Sequence, residues 1–165
     1  MTGSDTAGMK REEKVSDSSP SRAKDPSTSH RFSNRVVAYT ILRVSFGANI
    51  MLHGVSRLMV GHGAFLAYLN RFFAHTPLIP TSMLPAFAIV LPWVETLLGF
   101  LMVIGLATRL ALIAGAIVIA FLVVGTNLAQ DWVVSGLQLI YAFLYYYLLV
   151  HLDENGLSCD AFRKS

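Results

Sequence analysis

Between Val36 and Leu152 the chain alternates long apolar runs with short polar breaks. The runs are "VVAYTILRVSFGANIMLHGVSRLMV", "MLPAFAIVLPWVETLLGFLMVIGL", "RLALIAGAIVIAFLVVGTNLA" and "WVVSGLQLIYAFLYYYLLVHL". Each is close to the ~20 residues that cross a hydrocarbon core of roughly 30 Å. The last three have no polar face to turn toward water, unlike the amphipathic helices of a soluble bundle. The pattern predicts an all-α integral membrane protein, a four-transmembrane-helix bundle over residues 35–152. Its spans are expected at 36–60, 83–106, 109–129 and 132–152.

The breaks differ in kind. Ala107–Thr108 and Gln130–Asp131 are so short that the runs they join must form antiparallel helical hairpins. The first connection, "GHGAFLAYLNRFFAHTPLIPTS", is longer and aromatic. Phe65, Leu66, Leu69, Phe72 and Phe73 recur at helical spacing, which predicts a short interfacial amphipathic helix between spans 1 and 2. It can be a plain connector or a lid over a cavity. Residues 1–34, rich in Ser, Thr, Pro and mixed charge, are expected to form a disordered tail that is not a signal peptide, with Met1 or Met9 as the start. Residues 153–165 are expected to form a second tail, with Asp153, Glu154 and Asp160 solvated rather than bound to a cation.

Charge sharpens the picture. The chain is 54% hydrophobic and 14% charged, where a soluble domain carries nearer a quarter. From Val36 to Leu152 the charged residues are Arg43, Arg57, Arg71, Glu95, Arg109 and Asp131. The net charge of +3 comes from basic residues mixed with acidic ones in the tail, so no nucleic-acid partner is expected. Arg22, Lys24, Arg31, Arg35, Arg109, Arg163 and Lys164 fall on one side of the predicted topology, which places both termini in the cytoplasm. The lone Cys159 leaves no intrachain disulfide and no CxxC motif.

Ionisable residues inside spans face the bundle interior and mark functional sites by default. On span 1, Arg43, Phe46, Gly47, Ile50, His53, Gly54 and Arg57 form one stripe. On span 2, Glu95 shares its face with Ala88, Pro92, Gly99 and Met102, and Pro92 can bend the helix. Depth, at about 1.5 Å per residue, puts Glu95 near the midplane. Arg43 is then its expected ion-pair partner, with His53 as second neighbour and Arg57 at the outer boundary. Thr126, Asn127, Gln130, Asp131 and Gln138 are expected to ring the mouth of an outer cavity with His53 and Arg57. Tyr141 and Tyr145, one turn apart, need hydroxyl partners at depth, and a quinone ring is one. Two readings stay open: a polar pocket that binds a ligand or relays protons, and a pair that only fixes helix register. His53 and His151 fall at opposite depths, which disfavours a bis-histidine haem. No GxGxxG, P-loop, HExxH or Ser-His-Asp spacing appears, and no metal site is expected.

The stretches "ILRVSFGANIMLHGVSRL", "LPWVETLLGFLMVIGLATRLALIAG" and "NGLSCDAF" resemble the DoxX family of small four-helix bacterial membrane proteins. The resemblance covers about 36–162, and its most specific part is Glu95 with Gly99 followed by "GLATR". It implies a multi-pass protein of the bacterial cytoplasmic (inner) membrane. Related DoxD-type proteins belong to a thiosulfate:quinone oxidoreductase, and others serve membrane oxidoreductase complexes and thiol or oxidative-stress responses. The expected function is thus a quinone-interacting membrane subunit of a redox system, with no covalently bound cofactor. Glu95 would handle protons, and Arg43 and His53 would stabilise a developing anion. Arg57, Asn127, Gln138, Tyr141 and Tyr145 would line the quinone site. Partners would be the lipid bilayer, a soluble or membrane oxidoreductase subunit, and further copies of the chain as a homo-oligomer. A non-enzymatic assembly protein with structural charges, and a small-solute carrier, are the rival readings.

Overall fold

The structure is a computed structural model and describes residues 33–164. The expected N-terminal tail and the choice between Met1 and Met9 therefore lie outside the described residues, save for the last residues of that tail. The described chain forms α1 (Asn34–Val60), α2 (His62–Phe72), a 3-10 turn at Thr81–Met83, α3 (Leu84–Ile104), α4 (Thr108–Leu128) and α5 (Trp132–Val150). A second 3-10 turn at Leu152–Glu154 leads to α6 (Cys159–Lys164). The helices α1, α3 with its preceding turn, α4 and α5 are long and apolar enough to cross a membrane, and their bounds follow the predicted runs within two residues at either end.

The bundle is two tight pairs, α1 on α3 and α4 on α5. Lipid tails are as apolar as leucine, so helices in a bilayer associate through close packing and polar contacts rather than through the hydrophobic effect. Glycine makes the first pair close. A Cβ at Gly99 would run into the backbone of Met51 and Gly47, and one at Gly54 would strike Thr96 and the Pro92 carbonyl. Helix α3 continues unbroken through Pro92, whose carbonyl accepts the Thr96 hydroxyl at 2.7 Å. In the second pair the hydroxyl end of the Tyr145 ring occupies the space that a Cβ at Gly115 would need. Tyr39, Phe46, Ile50, Leu98, Met102, Leu112, Tyr145 and Leu148 join the two pairs in one core. The predicted helix in the first connection forms as α2, and it buries Phe65 and Leu69 against Leu84, Ala88 and Leu91 of α3.

The segment after α5 departs from expectation. It is folded against the bundle end rather than solvated. The Asp160 carboxylate accepts from the amides of Ala107 (2.8 Å) and Thr108 (2.7 Å), and the Asp160 amide donates to the Gly105 carbonyl at 3.0 Å. Asn155 Nδ2 donates to Thr108 Oγ1 at 3.1 Å. The reason lies in the "GLAT" turn. Gly105 closes α3 in the left-handed region (φ 69°), and Ala107 also has positive φ (48°). Such a turn opens α4 with free amides, and Asp160 satisfies two of them as a cap supplied from the far end of the sequence.

Candidate functional site

Register between α1 and α3 decides which charges meet. Gly54 faces Pro92 and Thr96 while Gly99 faces Met51 and Gly47, so Glu95 stands opposite residue 53. Arg43 is ten positions away along α1, about 15 Å at helical rise. Helical side chains also lean toward the N-terminus. That carries Arg57 one turn inward to Glu95 and carries Arg43 away from it. The ion pair is accordingly Arg57 Nη1 to Glu95 Oε2, and the expected Arg43–Glu95 pair does not form. Glu95 is nearly enclosed (side-chain exposure 9%), and Arg57 keeps 27%.

Arg43 has a structural post instead. It is 1% exposed. Nη1 donates to the carbonyls of Met102 and Val103 at the end of α3, the second at 3.2 Å, and Nη2 donates to the Leu157 carbonyl at 2.9 Å. The last carbonyls of a helix have no intrahelical partner, and a guanidinium fork suits several at once. Arg43 thus ties α1, the end of α3 and the C-terminal segment together.

The roof of the ion pair is α2. The Phe65 ring lies 5.0 Å from the Arg57 guanidinium carbon, a cation–π contact. Beside it is an open cavity of about 210 Å³ lined by Ser56, Arg57, Val60, Ala64, Phe65 and Tyr68. Tyr145 is buried from the α5 side, edge-on to Phe46 at 4.7 Å.

The other expected site residues divide. Glu95, Ala88, Pro92, Gly99 and Met102 are all buried on one face of α3, as the pattern predicts. His53, expected inward, is exposed at the α1–α5 seam; its Nδ1 bonds the Asn49 carbonyl at 2.9 Å, and its ring stands edge-on to Tyr141. Tyr141 accepts from Asn49 Nδ2 at 2.9 Å. Asn127 and Gln138 are engaged within the α4–α5 pair: Ser135 donates to Asn127 Oδ1 (3.0 Å) and Thr126 donates to Gln138 Oε1 (2.8 Å). Asp131 caps α5 through the Val134 amide at 3.0 Å. These groups close the hairpin and satisfy one another, which is what polar groups in a bilayer require. Three contributors escaped the sequence reading. Asn49 carried a signal, a polar residue one turn before His53, whereas Phe65 and Asp160 become legible only when the helices are packed.

Four apolar helices with a buried ion pair across the first two spans define a multi-pass membrane protein in contact with the lipid bilayer. The chain belongs to the DoxX family: the DoxX family model matches residues 38–130. That stretch holds α1 through α4 apart from the first residues of α1, and so both partners of the ion pair; α5 and the C-terminal segment lie beyond it. No curated protein and no solved structure matches the chain.

Proposed function

We propose that this DoxX-family protein is the membrane subunit of a redox system of the bacterial cytoplasmic (inner) membrane, and that it interacts with quinone at the polar centre around Arg57 and Glu95. The observation that carries the reading is the placement of that pair. A carboxylate and a guanidinium sit together within the spans, under an aromatic roof, beside an open cavity of about 210 Å³. The volume suits one ring rather than a whole lipid-soluble cofactor, whose tail would stay among the acyl chains. Arg57 would attract electron-rich oxygen there, and Glu95 would receive or return a proton.

In this reading both termini are cytoplasmic, because Arg35, Arg109 and Arg163 gather at one end of the bundle. Helix α2 then lies at the outer interface with its charge-free aromatic face on α3. A soluble or membrane oxidoreductase subunit would supply or accept the electrons. The test is quinol oxidation by membranes carrying wild type or Glu95→Gln at matched abundance. A rate lowered at least tenfold supports the proposal, and identical rates with no quinone retained on purification overturn it.

A second reading has its own observation. The buried Arg43 guanidinium is held by main-chain carbonyls of α3 and the C-terminal segment, and in this reading Arg57–Glu95 tethers helices in the same way in a non-enzymatic assembly partner. That reading expects Glu95→Gln to lower abundance or Tm without a separable change in quinol oxidation.

A further inference from the structure

Beside the ion pair, α1 meets α5 along a seam held by side chains, with few close approaches of backbone. Asn49 makes two hydrogen bonds of opposite sense there. Its side-chain Nδ2 donates to the Tyr141 oxygen, and its main-chain carbonyl accepts from His53 Nδ1, each at 2.9 Å. A main-chain carbonyl can only accept, so His53 carries its proton on Nδ1. In the neutral ring Nε2 is then an acceptor. The Tyr141 oxygen already accepts from Asn49, which leaves its O–H to donate. Asn49 therefore sets an acceptor on one neighbour and a donor on the other.

Both groups face the same side. His53 is exposed and Tyr141 half-buried, with ring centroids 6.3 Å apart. Ser56 has no hydrogen for Nε2, because its hydroxyl donates to the His53 carbonyl at 2.9 Å. The hydrocarbon around a span offers no water to satisfy them. The outward faces of the other spans carry large apolar side chains, as at Trp93, Leu97, Ile117 and Phe121.

We infer that His53 and Tyr141 form a binding site for a ring hydroxyl of a membrane-dissolved hydroquinone. The hydroxyl oxygen accepts from Tyr141, and its hydrogen is donated to His53 Nε2. Asn49 is the positioning residue. The inference rests on the quinone reading above and adds a selectivity to it. An oxidised quinone carbonyl can satisfy Tyr141 but leaves Nε2 unpaired, so the seam favours the reduced form.

The test uses the full chain in lipid nanodiscs, titrated with a short-chain hydroquinone, its oxidised form and its dimethyl ether. The histidine ring ¹⁵N resonances are followed alongside. The hydroquinone should bind about tenfold more tightly than the other two, which have no hydrogen to give Nε2, the worth of one hydrogen bond at the upper end of its range, and should shift the His53 Nε2 signal. Tyr141→Phe keeps the ring that packs edge-on against Phe46 at 5.6 Å. It should weaken all three compounds alike, as should Asn49→Leu, whereas His53→Phe should abolish the preference, because Nε2 is the group that only the hydroquinone satisfies. Equal binding of all three compounds, or a preference that survives His53→Phe, overturns the site. If Glu95→Gln still slows quinol oxidation in that event, the redox reading stands without this seam. If no compound binds and Glu95→Gln is silent, both fall.

Discussion

Arg57 and Glu95 are each other's main charge partner, so removing one should cost more than removing both. Arg57→Met or Glu95→Met alone strands a charge away from water. We expect each to destabilise by about 2–3 kcal/mol, less than for a fully enclosed pair because Arg57 keeps some exposure. The double variant should recover at least half of the summed loss in a reversible unfolding cycle. Ala107 offers the opposite prediction. Its φ of 48° costs an L-residue ~1 kcal/mol that glycine does not bear. Ala107→Gly should therefore raise stability by about 0.5–1 kcal/mol in the same assay, provided that Asp160 still holds the turn. At this scale the sequence was legible in part. That Glu95 is enclosed by small residues can be read from its spacing to Ala88, Pro92 and Gly99. Its partner cannot, because counting inward from the ends of two runs leaves an error of several residues. The glycines that fix the register act only on contact.

The elements themselves were the most legible feature, and the physical reason is the bilayer. Its thickness sets a length, and its lack of water sets a composition, so each run from Val36 onward declares both its type and its approximate limits. The way the helices pair is less visible, since Gly47, Gly54, Gly99 and Gly115 look alike in a list. In the fold, Gly99 is the tightest meeting of α1 and α3, with neighbouring backbone where a side chain would go. Gly99→Val should separate these helices and lower Tm strongly, by the equivalent of about 3 kcal/mol or more. Gly136, which has open space around it, should accept the same change with little effect. Thermal unfolding of the two variants in one detergent would check the contrast.

For the whole molecule, the described residues form one bundle closed at one end by Arg43 and Asp160. A polar stretch such as "DENGLSCD" reads as solvated when its partners are unknown, and its partners are main-chain groups of Gly105, Ala107 and Thr108 that no side-chain pattern announces. Asp160→Ala should cost about 1–2 kcal/mol, the usual worth of a helix cap. Hydrogen exchange should accelerate most at Ala107 and Thr108, more than fifty positions away. Unchanged protection at those amides would count against the cap.

That cap also fixes an order of events. The opening turn of α4 is synthesised well before the residue that completes it, so during insertion the turn between α3 and α4 waits for the segment that follows α5. Until Asp160 arrives, the Ala107 and Thr108 amides depend on water or headgroups, and Arg43 lacks one of its three carbonyls. The bundle is thus latched by residues that follow its last span, and a released chain truncated before residue 157 should hold its spans with that end still unlatched.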